Sequence, residues 1–501
     1  MKDGPIPVII GASQFTQPKN LIDPLDPLNL MVKTSEKAFS EAGTDEIKSY
    51  IDTIYMVNIQ SWSYKDAPGK LSEILGLKPT QKIYLSDGGN TPQMLVNRAV
   101  RQISSGKRKG ILITGSETSY STLRAKKGKI KLNWPEKEEL SYMEGKIWHG
   151  TNEFENKYEL IIPAYSYAIF ETALRAKSNK NIIEHNHYMG NLFKHFADIA
   201  SRNPYAWIKP NFSVDDIITP SPENRNICHP YTKRMCSNVF IDQAGSLIIT
   251  RESIAEQINI NKQQWVYHMG GADLQNVFNI TQRPSLTNSP ASREGVKLVL
   301  KQAGLKLKDI NKFDIYSCFP SIVEIIMDEI GLKADDTRDL TVTGGLAYFG
   351  GPWSNYSLHA IISSIELIRK NPTLKIMVIA NGGYNTKQSF GIYGNRPPYA
   401  PWNEKEENTI QRQILKKSLT LPVEKVNGQF KVEGYTLIFN RQGEPIKGIA
   451  IGCLKNGNRT LAYIHASKDK LNEIEKKELV GKIFPIRFNE ELNRNIIKIP
   501  N

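Results

Sequence analysis

The chain has 501 residues, of which 40% are hydrophobic and 23% charged, ample material for a large buried interior and too much for large-scale disorder. Lysine and arginine outnumber aspartate and glutamate by 65 to 51, a formal charge of +14 that suits anionic partners, although a lysine-rich solvated surface accounts for the same excess. Four cysteines without paired spacing argue against a disulfide framework and for a reducing compartment, with the cytoplasm as the default. No apolar run reaches the roughly 18 residues of a membrane span, the opening run is too short for a signal peptide, and the final Ile-Pro-Asn is not a peroxisomal tripeptide.

At about 150 residues per domain, the length predicts two to four units. Short apolar runs alternate with amphipathic stretches at the start: Pro7 to Ile10, Leu28 to Ala42, Ile51 to Ile59, Ile83 to Leu85, Leu95 to Ile103 and Ile111 to Thr114. This is the rhythm of a sheet with helical crossovers. It returns as a strand at Val266 to His268, a helix at Arg293 to Gly304, a strand at Phe313 to Cys318 and a helix at Ile322 to Gly331. Between the two halves, residues 120–235 read as an insertion with helical pieces at Ala164 to Lys177 and Ile182 to Arg202, of the kind that builds a substrate-facing surface. The expected units are residues 1–250 with this insertion, 251–397, and 398–501.

The halves share a local unit. Gly88-Gly89 opens a loop, Leu95, Val96, Ala99, Val100 and Ile103 form a helical stripe, and Ile111 to Gly115 is the following strand and turn. Gly350-Gly351-Pro352, the stripe Leu358, Ile361, Ile362, Ile365 and Ile368, and Met377 to Gly382 repeat it. Helices so striped fill a layer between sheets. A Gly-Gly pair before a helix either leaves amides open at the positive helix end, where a carbonyl or anion is held, or is a tight turn with no ligand. Beyond Pro397, Pro398 and Pro401 come a linker and a charged stretch from Asn403 to Arg412. Strands at Phe430 to Phe439, Gly448 to Leu454, Thr460 to His465 and Lys482 to Phe488 then predict a small β-barrel or sandwich.

With Tyr316-Ser-Cys-Phe319, Gly350-Gly-Pro352 and Asn381-Gly-Gly383 in that order, the chain resembles the thiolases. With Gly88-Gly-Asn-Thr-Pro-Gln93, Asn203 to Trp207, His229 to Lys233, Leu340 to Gly345 and Asn381 to Tyr384, it resembles more narrowly the type-1 thiolase-like proteins, often labelled acetyl-CoA acetyltransferases, over essentially its whole length. The resemblance implies an α/β thiolase fold, layered αβαβα, with an inserted loop domain and a small C-terminal β-barrel-like domain. It implies an acyl-CoA thioester, bound as ligand or substrate with no other cofactor, and a role in lipid metabolism as an acyltransferase. The non-enzymatic alternative is an acyl-CoA or lipid carrier, or a scaffold whose β-domain takes a partner. No nucleic-acid partner and no membrane span are expected, and both a homodimer and a monomer are open.

Thiolases attack the thioester with a cysteine before the first-half helix, activated by the histidine of Gly-His-Pro, and move the substrate proton with the cysteine of Cys-x-Gly. Here the first position falls on Gly89, or on Gly88 if the loop shifts by one. The imidazole position falls on Gly351, and the second thiol position on Asn381, whose amide exchanges no proton near neutral pH. Standard thiolase chemistry is therefore not expected. The candidate catalytic groups are Tyr316, Asn381, Cys318 (a substitute nucleophile or an inert core thiol) and His268 (the nearest candidate base or a structural histidine). Gly88, Gly89, Asn90, Gly350, Gly351, Gly382 and Gly383 are the candidate substrate-binding residues.

Other patterns are weaker. Gly345 to Gly351 has no following Gly-Lys-Ser/Thr, so it is not a phosphate loop. His185, His187 and His195 spread around a helix, Cys228 and Cys236 have no second pair, and no metal site is predicted. The basic run Arg124 to Lys131 reads either as a contact for the phosphates of coenzyme A or as a solvated loop, and it lacks the interleaved aromatics of a strand-binding surface.

Overall fold

The computed structural model of the chain describes residues 4–145 and 150–499; the last two residues of the C-terminal tripeptide fall outside that range. The first half contributes strands Pro7–Thr16 (β1), Ile51–Met56 (β2), Gln81–Tyr84 (β3), Gly110–Thr118 (β4) and Asp242–Arg251 (β5), with helices Pro27–Ala42 (α1) and Thr91–Ser104 (α2). Helix α1 starts where the sequence places every signal for it. Asp26 accepts from the backbone N–H of Leu28 at 2.8 Å and Asn29 at 3.2 Å, Pro27 takes the first helical position, and Gly43 ends the helix at φ 83°. The strands form one sheet in the order β1-β5-β4-β2-β3, parallel between β4, β2 and β3 and antiparallel at β1–β5 and β5–β4.

The insertion carries helices Pro163–Lys177 (α3) and Ile182–Arg202 (α4). In the second half, strands Tyr267–Gln275 (β6), Lys312–Ile315 (β7), Ile376–Gly382 (β8) and Lys387–Gly394 (β9) form a sheet in the order β6-β9-β8-β7. Its helices are Pro290–Ala303 (α5), Pro320–Ile330 (α6) and Tyr356–Lys370 (α7). Helices α2 and α7 touch each other and both sheets, while α1 covers the outer face of the first sheet and α5 that of the second, which gives the five expected layers. Every residue of the two predicted stripes is buried. Burial of such aliphatic side chains contributes about 1.5–3 kcal/mol each, so the central layer fixes where the loops before α2 and α7 sit.

The C-terminal strands Gly428–Phe439 (β10), Pro445–Leu454 (β11), Arg459–His465 (β12), Ile483–Asn489 (β13) and Arg494–Lys498 (β14) close into a barrel in the order β10-β11-β12-β14-β13-β10. Strands β11 and β12 are buried on both faces. Ala450, Ala462 and Ile464 fill the barrel, whereas Ile449, Ile451 and Leu461 belong to the same apolar cluster as the body. Gly434 lets the barrel close on α3, since a β-carbon there would lie 2.7 Å from the Ile169 carbonyl oxygen. Two features depart from the sequence reading. The charged stretch after the expected linker forms a helix, Glu404–Leu415, whose Glu407 accepts from the Asp273 N–H at 2.8 Å, and the barrel includes a helix at Lys468–Ile474 and the strand β14. Among the described residues, no helix is long and apolar enough to cross a membrane.

Candidate active site

The loops that precede α2 and α7 meet at the ends of β7 and β8. Ser354 Oγ accepts from the Gly88 N–H at 3.0 Å, and the Ser357 hydroxyl donates to the Gly89 carbonyl, so the second Gly-Gly loop is stitched to the first through the start of α7. Tyr316 follows β7, and its N–H donates to the Ile379 carbonyl of β8 at 2.9 Å. Its ring packs edge-on against Tyr356 at 5.4 Å. Gly89, Tyr316 and Asn381 therefore come together. A β-carbon at Gly89 would lie 2.5 Å from the Asn381 carbonyl oxygen and 2.6 Å from Tyr316 Cζ, and closer still to the Tyr316 hydroxyl oxygen. Gly382 is in the same packing, where a β-carbon would meet Asn90 Oδ1 at 2.6 Å and the Gly89 nitrogen at 3.1 Å.

The space that a side chain on Gly89 would take is thus filled by the phenol of Tyr316. That hydroxyl has no hydrogen-bond partner among the described residues, and neither do the Gly89 and Asn90 N–H groups at the positive end of α2. Burial raises the Tyr316 pKa, so the group is a neutral donor at any working pH. Asn90 is buried, with Nδ2 donating to Ser389 Oγ at 3.1 Å and Oδ1 unpartnered.

The other predicted residues have fixed duties. Asn381 Nδ2 donates to Tyr167 Oη at 2.9 Å, and Asn381 Oδ1 accepts from Gln388 at 2.7 Å, so both ends of its amide are held. The Gly351 N–H donates to the Asn238 carbonyl at 2.8 Å and is not open to a ligand; buried Gly350 stands against Gln243. Gly383 turns the chain after β8 at φ 61°. Cys318 is 8% exposed, and burial pushes its thiol up to about 12, opposite to the shift an attacking thiolate needs. Its carbonyl accepts from the N–H and hydroxyl of Ser237, both at 3.1 Å.

His268 does not belong to this cluster. Its Nε2 is 3.0 Å from Asn97 Oδ1, eight residues along α2 from Gly89 and so about 12 Å up the helix axis. Burial lowers its pKa to about 3, and it lines a separate cavity of ≈ 280 Å³ with Arg101, Gln302 and Trp402. The predicted spread of the histidines is observed: His185 is buried, His187 exposed, and His195 lies 3.7 Å from Asp339.

Four contributors were not legible in the sequence. Tyr167, from the insertion, stacks on Phe319 at 5.0 Å and holds Asn381; nothing in its local pattern separates it from the other apolar residues of α3. Ser354 lies in the turn just before α7 and Ser357 in the first turn of that helix, and no local pattern singles out either. Lys387 donates to the Asp87 carbonyl at 2.8 Å beside Gly88, and burial lowers its pKa.

Comparison with known proteins shows what the chain is similar to. Residues 409–491 match the thiolase-like protein type 1 additional C-terminal domain. A solved monomeric SCP2-thiolase-like protein type 1 from Mycobacterium smegmatis superposes with a TM-score of 0.85 at 27% identity, over 99% of this chain and 100% of that one. The acetyl-CoA acetyltransferase of Methanocaldococcus jannaschii is 22% identical over 306 residues, 60% of this chain and 70% of that protein. Bovine sterol carrier protein 2 is 21% identical over 353 residues, 69% of this chain and 60% of that protein.

Proposed function

We propose that this chain, which belongs to the type-1 thiolase-like proteins with an additional C-terminal domain, binds an acyl-CoA thioester at the Gly88–Gly89 loop and performs no cysteine-based transfer on it. The carrying observation is the occupation of the nucleophile's place by Tyr316, whose phenol sits where a β-carbon on Gly89 would go. The thioester carbonyl would be received by the unspent N–H groups of Gly89 and Asn90 and by the Tyr316 hydroxyl, an oxyanion-type grip without an attacking atom. The half-buried Lys387 ammonium beside Gly88 adds positive charge at the loop. Support for the ligand class comes from the relatives named above, one of them an acetyl-CoA acetyltransferase.

Calorimetric titration of the full chain with acetyl-CoA, together with a thiolysis assay on acetoacetyl-CoA, tests the reading. Saturable binding without turnover is expected, and Tyr316→Phe should weaken it by about fivefold, the worth of one hydrogen bond of about 1 kcal/mol. No binding at millimolar ligand would remove the reading. A covalent acyl-protein adduct lost on Cys318→Ser would replace it with catalysis.

A further inference from the structure

Three helices bring titratable side chains together in the seam between the insertion and the second half. Glu171 of α3, His185 of α4 and Glu324 of α6 are 0%, 1% and 8% exposed, and one donor atom from each lies within 4.8 Å of the other two. Glu171 Oε1 is 2.6 Å from His185 Nε2, and Glu324 Oε1 is 4.0 Å from the same nitrogen. The cluster is not an ordinary salt bridge. Among the described residues, the only ion-pair partner of either carboxylate is His185; Lys180 acts on Glu324 only from beyond salt-bridge distance. Glu324 Oε1 has no hydrogen-bond partner there, although a carboxylate oxygen left alone at such depth is costly.

We infer that Glu171, His185 and Glu324 bind a divalent first-row transition-metal ion, with zinc the ion that this donor set suits. One imidazole nitrogen and two carboxylates are an N,O-donor set for such ions. Bonds of about 2.0–2.2 Å place the donors of a tetrahedral ion about 3.3–3.5 Å apart, and the observed separations of 2.6 and 4.0 Å bracket that distance. Side-chain shifts of under about 1 Å would seat the ion, and a carboxylate binding through both oxygens supplies a fourth donor. An outer support is in place: the Tyr231 hydroxyl lies 2.7 Å from Glu171 Oε2 and 2.9 Å from Ser321 Oγ, an arrangement that orients a ligand carboxylate.

The ion would tie α3, α4 and α6 at one point. Because the Tyr231 ring stacks on Phe319 at 5.4 Å, next to Cys318, the tie stiffens the wall behind the Tyr316 cluster. The inference is independent of whether a thioester binds.

The test uses the untagged full-length chain, loaded with zinc or manganese and dialysed. Elemental mass spectrometry should find about one equivalent of zinc, and the melting temperature should rise with free zinc, as for any ligand of the folded state alone. Glu324→Gln keeps the size and hydrogen-bonding capacity of the side chain but removes a charged ligand, and should cut zinc retention by about tenfold or more; Tyr231→Phe removes the outer support and should weaken binding by about tenfold, whereas His187→Ala, exposed on the same helix, should leave it unchanged. Less than about a tenth of an equivalent of either metal in the wild type, with no change in melting temperature, overturns the proposal and leaves a proton shared between the carboxylates as the alternative. In that case Glu324→Gln leaves stability unchanged or raised. The wild-type metal content decides the question even where a variant fails to fold.

Discussion

A cysteine at Gly89, where the resemblance to thiolases would put their nucleophile, should damage this protein. In Gly89→Cys, the new β-carbon falls 2.5 Å from the Asn381 carbonyl oxygen and 2.6 Å from Tyr316 Cζ, about 1 Å inside ordinary contact. The ring has little room to retreat, because Tyr316 is 8% exposed and packed against Tyr356. Forcing extra atoms into such a site costs about 1–3 kcal/mol, and with two obstructions, one of them backbone, the upper end of about 3 kcal/mol is expected. Tyr316→Ala alone should cost about 4 kcal/mol as a cavity in a close-packed site. The double variant should cost only about 5 kcal/mol, because deleting the ring relieves one obstruction and leaves the Asn381 carbonyl; the coupling of about 2 kcal/mol marks direct contact. Denaturant unfolding of the four proteins measures the cycle. If Gly89→Cys is as stable as the parent, or the two changes add within about 0.5 kcal/mol, the phenol does not fill the nucleophile's place and the account of the site fails.

Other outcomes follow from the buried ionisable groups. At pH 8 an aromatic disulfide reagent should label only Cys453 quickly, because burial pushes Cys236 and Cys318 up to about 12 and Cys228 well above its ordinary value; all four should react after unfolding, and a second fast thiol in the native chain would contradict this. His229, His268 and His359 are held neutral, each lowered to about 3 by burial, so the unfolded chain binds more protons below about pH 6.5 and stability falls as pH drops toward 3, by about 2 kcal/mol per histidine at pH 5. Glu117, raised by burial to about 8, acts oppositely, with stability falling as pH climbs from about 4.5 to that value. The histidine effect is therefore read as a difference, and His359→Gln should flatten the acid limb by about a third in pH-dependent denaturation; an unchanged limb would count against it. Arg175 is fully buried, with Nε 2.9 Å from Glu478, Nη2 2.9 Å from Tyr435 Oη and Nη1 3.2 Å from His229, so Arg175→Met should cost about 3–5 kcal/mol in the same measurement.

The layered body was readable because its helices carry unbroken stripes: Leu95 to Ile103 and Leu358 to Ile368 show a helical period, and the structure buries both between sheets. The glycine loops were readable for the same reason, standing immediately before those helices. What the sequence could not show is that Tyr316 takes the space that Gly89 leaves, since that relation exists only once the segment after β7 meets the loop before α2. His268 was drawn toward the site by its place at a strand terminus. In the fold, its strand β6 is the far edge of the second sheet, and the ring meets the second turn of α2 rather than its start. Strand β14 escaped notice because it is short, half of its pairing is parallel to β12, and the hairpin turn that joins it to β13, residues 490–493, has no glycine or proline to announce it.

The seam between barrel and body has a mechanical consequence. Helix α3 is bonded to the barrel at Thr172, whose hydroxyl lies 2.8 Å from the Tyr435 carbonyl and 2.9 Å from its nitrogen, and five residues earlier Tyr167 grips Asn381. One rod thus carries load from the appended domain to the heart of the molecule in a single helical turn and a half. Cutting the chain near residue 400 would bare Ile449, Ile451 and Leu461 on one fragment and loosen Asn381 on the other, so neither piece is a free-standing module, and heating should melt them in one transition.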